Sequence, residues 1–195
     1  MSNEAPTSSV HPKTRSEWRA WLTQHHERNE GVWLVTYKKA TGKPRIEYDD
    51  AVEEALCFGW VDSKPAKLDD ERSMLYFAPR QQGTGWSGPN KQRVQTLIAA
   101  GLMMPAGLAK VENAKRDGSW SRLDAVEALE IPQDLRAALA EYPNAETNFD
   151  AFPRSVKRGI LEWILNAKKA ETRTKRVAET ARLAENNVRA NQWRQ

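Results

Sequence analysis

The spacing of hydrophobic positions changes several times along the chain, and the predicted elements follow from those changes. Over residues 15–28, Trp18, Trp21, Leu22 and His25 recur every three or four positions, which predicts an amphipathic helix with Ser16 as its cap and Gly31 beyond its end. Val32–Tyr37 is a run of β-branched and aromatic residues. Its almost unbroken apolar character predicts a central strand. From Asp49 or Asp50 the helical period returns. Val52, Ala55 and Leu56 share one face, Glu53 and Glu54 lie on a face that reads as solvated, and Gly59 supplies the left-handed stop. Residues 60–64 and 73–78 predict two further strands, with 68–72 as a turn or the start of the second.

Residues 81–90 hold Gly83, Gly85, Gly88 and Pro89 around an isolated Trp86 and predict a flexible loop. Beyond it the pattern is helical throughout. Asn90 is placed to cap a helix through Val94 and Leu97, Pro105 to open a second that ends at Gly118, and Pro132 to open a third. Val156, Ile160, Trp163 and Ile164 form a 3.6-residue stripe. Residues 172–188 keep Val177, Ala181, Ala184 and Val188 in register, but these side chains are small, which predicts weak docking. The fold class that follows is α+β, a small sheet with packed helices followed by a helical C-terminal module. Residues 1–14 are expected to be a disordered N-terminus, 15–123 an α+β domain, and 124–195 a helical module with a basic tail.

The composition suits a soluble globular chain: 195 residues, 39% hydrophobic, 29% charged, with a heavy load of eight Trp. Charge is distributed unevenly. Residues 1–123 carry +3, residues 124–152 carry −6 and residues 153–195 carry +7, which together give the net +4. A basic tail can meet phosphates or fold beside the acidic segment before it. The lone Cys57 lies on an apolar helix face, so no internal disulfide is possible and a reducing compartment fits. The start has no secretory pattern, and no stretch has the length of a membrane span. A cytoplasmic protein without membrane insertion is the expectation.

The residue types exclude several chemistries. Adjacent His25 and His26 point about 100° apart on a helix, and His11 lies in the N-terminal segment, so no metal site is expected. No cofactor is implied either, because Walker, dinucleotide and nucleophile-elbow patterns are absent. What remains is polar residues at element ends: Asp62, Ser63 and Lys64 after the helix stop, Arg72 and Arg80 flanking a strand, then Trp86, Ser87, Asn90 and Lys91. Arg80, Ser87 and a helix start at Asn90 could together hold an anion beneath a Trp86 lid. Each residue also has a plain reading: Asp62 pairs with Lys64 or Arg72, Asn90 caps its helix, and Trp86 pins the loop to the core. In the tail, Lys168, Lys169, Arg173, Lys175 and Arg176 cluster within three helical turns, with only Trp193 near enough to stack on a base.

The segments at 51–64 (with Phe-Gly-Trp-Val-Asp-Ser at 58–63), 77–80, 86–91, 105–107 and 170–176 together resemble the YdeI/OmpD-associated family, also called bacteriocin-protection proteins. The resemblance spans Trp18 to about Val188. It implies a link to tolerance of bacteriocins and cationic antimicrobial peptides, and brings no catalytic residues. The family's loop between the Pro-Arg and Trp-Ser blocks is more basic than residues 81–85 here.

The expectation is therefore a non-enzymatic binding protein for a small anionic ligand or a partner's acidic segment, held by Asp62, Lys64, Arg72, Arg80, Trp86, Ser87, Asn90 and Lys91. The alternative is nucleic-acid binding through the basic C-terminal helix. An enzyme with Asp62 as base beside Lys64 or Arg72 rests on residue types alone.

Overall fold

Val32–Tyr37 forms a strand (β2) flanked on both sides, and the first unit of the molecule is assembled around it. The computed structural model describes residues 5–192, and its chain divides into two units, Met1–Arg122 and Leu123–Gln195.

In the first unit the sheet has the order β1-β2-β4-β3, with β1 at Ser9–Val10, β3 at Trp60–Lys67 and β4 at Arg72–Pro79. β4 runs antiparallel to β2 from Val32↔Phe77 to Tyr37↔Arg72, while β1 lies parallel to β2. Within the segment expected to be disordered, Ser9–Val10 pairs with β2: Trp33 donates its N–H to Ser8 O at 3.0 Å, and Ser8 Oγ donates to Gly31 O. Two residues give too little period to reveal a strand in sequence. Between Asp62 and Pro65 the β3–β4 register slips by one residue, a bulge that keeps both side chains on one face, opposite Phe77 and Leu75.

That face is the core. Helices α1 (Arg15–His25) and α2 (Tyr48–Cys57) cover its Val32–Phe77–Trp60 end. The Trp18 ring lies 5.4 Å from that of Phe77, and the indole N–H of Trp18 finds the Ala51 carbonyl at 3.0 Å, which leaves that buried donor satisfied. Thr14, not Ser16, caps α1 by accepting the Glu17 N–H. The expectation of a solvated Glu53–Glu54 face fails at Glu54. It is only 3% exposed and bridges Arg15 and Arg19 at 2.6 Å each, so two guanidinium groups from α1 neutralise it where the helices meet.

Two more helices complete the unit, α3 (Gly88–Ala99) and α4 (Pro105–Asp117). The α3 start precedes Asn90. Ser87 is the N-cap, and Asn90 sits inside the first turn.

The second unit is a set of helices, α5 (Asp124–Glu127), α6 (Gln133–Ala140), α7 (Ala145–Ala151), α8 (Arg154–Leu165) and α9 (Ala170–Glu185), and the fold as a whole is α+β. Leu135, Leu139, Phe149, Ile160 and Ile164 form its core. α9 packs on α6, α7 and α8 and is not loosely docked. Ala181 and Ala184 are fully buried, and small side chains let the helices approach closely. Asn148 Nδ2 donates to the Ala184 carbonyl at 2.8 Å, which occupies a helix-end acceptor. The opposite charges of this unit meet inside it: Arg173 forms a two-pronged bond to Asp134 at 2.6 and 2.9 Å, and Arg158 reaches Glu127 at 2.9 Å. Among the described residues, no helix is long and apolar enough to cross a membrane.

Candidate functional site

The α2 stop and the glycine-bearing loop are tied together by backbone. Gly59 has φ +77°, a conformation glycine adopts without strain, and its carbonyl accepts the Arg80 N–H at 2.9 Å. Glycine is also required sterically, since a Cβ at 59 would fall 2.7 Å from Lys110 Cγ and 3.2 Å from Ala106 O on α4. Arg80, the first residue after β4, is therefore fixed against the α2 stop, with α4 alongside.

Its side chain turns inward. Arg80 is 6% exposed, and its guanidinium lies 3.9 Å from the ring centroid of Trp86, itself 1% exposed. Nη1 donates to Thr84 Oγ1 at 3.3 Å and Gly85 O at 3.1 Å, which holds the loop in place. Arg80 Nε and Trp86 Nε1 are buried N–H donors that meet no acceptor among the described residues. Burial pushes the guanidinium down to about 10, and the more distant charge of Asp62 opposes that shift.

Both side chains line a chamber of about 80 Å³, with Thr84, Lys110, Asn113, Asp117 and Ser119 among its other walls. Asp117 is not the missing partner. It accepts the Ser119 N–H at 2.9 Å, and bonds from Ser119, Gln82 and Gly83 hold its carboxyl below the usual carboxylate range. Behind Trp86, the Trp120 ring lies 5.0 Å away, with Lys91 and Lys115 over it at 5.3 and 5.6 Å. The chamber wall thus carries two cations, Arg80 and Lys110, against one carboxylate, Asp117, and two of its lining residues, Arg80 and Trp86, each hold a buried N–H without an acceptor. Such a set complements a small anion.

Of the residues singled out from sequence, Arg80 and Trp86 share this chamber. Trp86 is core and not a lid, because the loop folds down over the end of the sheet. Asp62 lines a different and larger opening and accepts from Tyr48 Oη at 3.1 Å. Lys64 is exposed on the bulge, and Arg72 pairs with Asp69 at 2.6 Å, so neither stands beside Asp62 as an acid–base partner. Ser87 makes no side-chain cap bond, Asn90 Oδ1 accepts from Arg93 at 3.2 Å, and Lys91 belongs to the Trp120 layer. Lys110, Asn113 and Ser119 were not foreseen. They come from α4 and the turn after it, for which the sequence offers only the Asp-Gly-Ser turn at 117–119.

In the tail, Arg173 is held by Asp134, Lys175 by Glu171 at 2.7 Å, and Arg176 lies over the Trp163 ring at 4.9 Å, while Lys168 and Lys169 are exposed. Trp193 lies outside the described residues.

Two family models match the chain. Residues 10–110 match a domain of unknown function, DUF8412, and residues 128–187 match the family described as bacteriocin-protection, YdeI or OmpD-associated. The second match takes in the 170–176 segment, whereas the blocks at 51–64, 77–80 and 86–91 fall in the first, so the resemblance read from sequence divides between two domain families. Neither a curated protein nor a solved structure matches the chain.

Proposed function

The chain belongs to the DUF8412 domain family and carries a YdeI/OmpD-associated domain behind it, and from that premise we propose that it is a non-enzymatic binding protein whose first unit holds a small anion at Arg80 and Trp86. One observation supports this reading above the others: a nine-tenths-buried arginine without a carboxylate in bonding distance, whose Nε and the neighbouring buried indole N–H of Trp86 both lack an acceptor. A buried cation costs several kcal/mol when unpaired, and an anion in the chamber would offset that cost for both donors together. The chamber volume of about 80 Å³ suits an ion of phosphate or sulfate size, not a nucleotide. We place the protein in the cytoplasm, where the free, buried Cys57 would stay reduced. Protection against bacteriocins, the description of the second family, is the setting to which we assign this binding.

The reading predicts that inorganic phosphate or sulfate raises the unfolding temperature beyond what chloride does at equal ionic strength. A ligand at a hundred times its Kd adds about 2.7 kcal/mol. Arg80→Met should abolish the shift. In the absence of added anion, Arg80→Met should be neutral or slightly stabilising, because it removes a desolvated charge. If no oxyanion moves the wild type further than chloride, or if Arg80→Met destabilises the protein and leaves the phosphate shift intact, Arg80 is a structural pin for the loop and the reading is wrong.

The nucleic-acid alternative draws less support, since Arg173 and Lys175 of α9 are paired with carboxylates.

A further inference from the structure

The apolar face of the sheet continues past the end of α2. Strands β3 and β4 are eight residues long and α2 only ten, so at roughly 1.5 Å per helical residue against 3.3 Å per strand residue the helix is too short to cover the face. What it leaves open is a groove of about 700 Å³ on the side of the sheet that carries Leu34, Pro65 and Leu75, bounded by Ile46, Tyr48 and Asp62. This volume lies in the range of small-molecule sites.

The polar groups around the groove are unequally committed. Lys38 Nζ donates to the carbonyls of Asp69 and Asp70 at 2.9 Å each, Arg45 grips Glu47 with two nitrogens, and Lys67 pairs with Asp70 at 2.7 Å. Asp62 differs. It accepts one hydrogen bond, from the Tyr48 hydroxyl, and among the described residues no lysine or arginine lies within ion-pair distance of it. Tyr48 is 53% exposed at the groove mouth, and burial together with the Asp62 charge pushes its phenol up, so it stays a donor.

We infer that the groove binds a small amphipathic amine, with an aromatic or aliphatic body on the Leu34–Leu75 floor and a protonated nitrogen on Asp62 beside the Tyr48 ring. The cations around it are spent on protein acceptors, so the uncommitted charge is negative and selects a cation. A tyrosine face next to that carboxylate adds cation–π attraction.

The test is an amide NMR titration of the full chain with 2-phenylethylamine and its charge-reversed counterpart 3-phenylpropionate. The amine should shift the amides of Asp62, Ala66 and Leu75 and bind at least about tenfold more tightly than the carboxylate, the value of one charge-assisted hydrogen bond. Asp62→Asn keeps the side-chain shape and an acceptor for Tyr48, and should erase that preference while leaving the fold unchanged by circular dichroism. Arg80→Met removes a distant cation that Asp62 feels and should leave amine binding as tight as in the wild type or slightly tighter while the phosphate shift is lost, which separates this site from the anion chamber. Equal or tighter binding of the carboxylate, an unchanged amine affinity in Asp62→Asn, or no shift at these amides with either probe would each overturn the inference.

Discussion

Gly107 passes so close beneath Cys57 that a Cβ at position 107 would lie 2.2 Å from the Cys57 carbonyl oxygen and 2.7 Å from the Leu56 oxygen. The obstacle is backbone at the end of a buried helix, so no side-chain rotation relieves it. Gly107→Ala should push α4 away from α2 and cost about 3 kcal/mol, the upper part of the range for overpacked cores. Urea denaturation at neutral pH would measure it. A loss below about 0.5 kcal/mol, the level of an ordinary surface change, would show that α4 can shift at little cost.

The Glu54 carboxylate tests whether a buried charge depends on two partners or on one. Arg15 and Arg19 both reach it at 2.6 Å, and each guanidinium is about one-third exposed while Glu54 is buried. Removing either arginine leaves the other in place, so Arg15→Ala and Arg19→Ala should each cost about 1 kcal/mol, whereas the double variant strands the carboxylate and should cost about 3 to 5 kcal/mol. Restoring Glu54→Gln in that double background should recover part of the loss. Strict additivity of the two single variants would mean that Glu54 is rehydrated once the arginines leave.

The Asp134–Arg173 pair gives the second unit a pH dependence of known sign. Arg173 holds the Asp134 carboxyl below its ordinary value, so the folded state binds this proton less readily than the unfolded chain does. The pair's contribution is complete above the unfolded value of about 3.9 and is lost as pH falls through the lower, folded value. Its size is that of a half-exposed ion pair, about 0.5 kcal/mol. Between pH 6 and pH 3, wild type should lose more stability than Asp134→Asn, measured by urea midpoints of the two proteins. Parallel curves would remove the pair from the acid response.

Elements whose periods are long and whose boundaries are marked by Gly or Pro were legible in the sequence: β2 to the residue, the two strands after Gly59, and helix α4 from Pro105 to its stop at Gly118. Misreadings arose where local composition and tertiary placement disagree. Glu54 sits beside Glu53 and looks solvated, yet two arginines some 35 to 39 positions earlier in the chain draw it inward, a pairing no local pattern encodes. Trp86 stands among glycines and looks like a surface flap, although the tight turns that glycine permits are what bring its ring down onto Arg80 and Trp120. Alanine in α9 reads in sequence as poor packing material, whereas a residue without bulk lets helices approach and adds no cavity. For the candidate site, the sequence supplied Arg80 and Trp86 but not the wall from α4, because that wall depends on how a helix some thirty residues downstream crosses Gly59.

Pro65, next to the extra residue in β3, has a consequence for the molecule's behaviour in crowded solution. β3 is the outermost strand on its side of the sheet, and a border of unbroken amides there would invite another copy to zip on and polymerise. An imino acid has no hydrogen to donate, and the irregular step beside it throws the remaining amides out of phase. The same kink that delivers Asp62 to the groove thereby also guards the protein against growing into fibres.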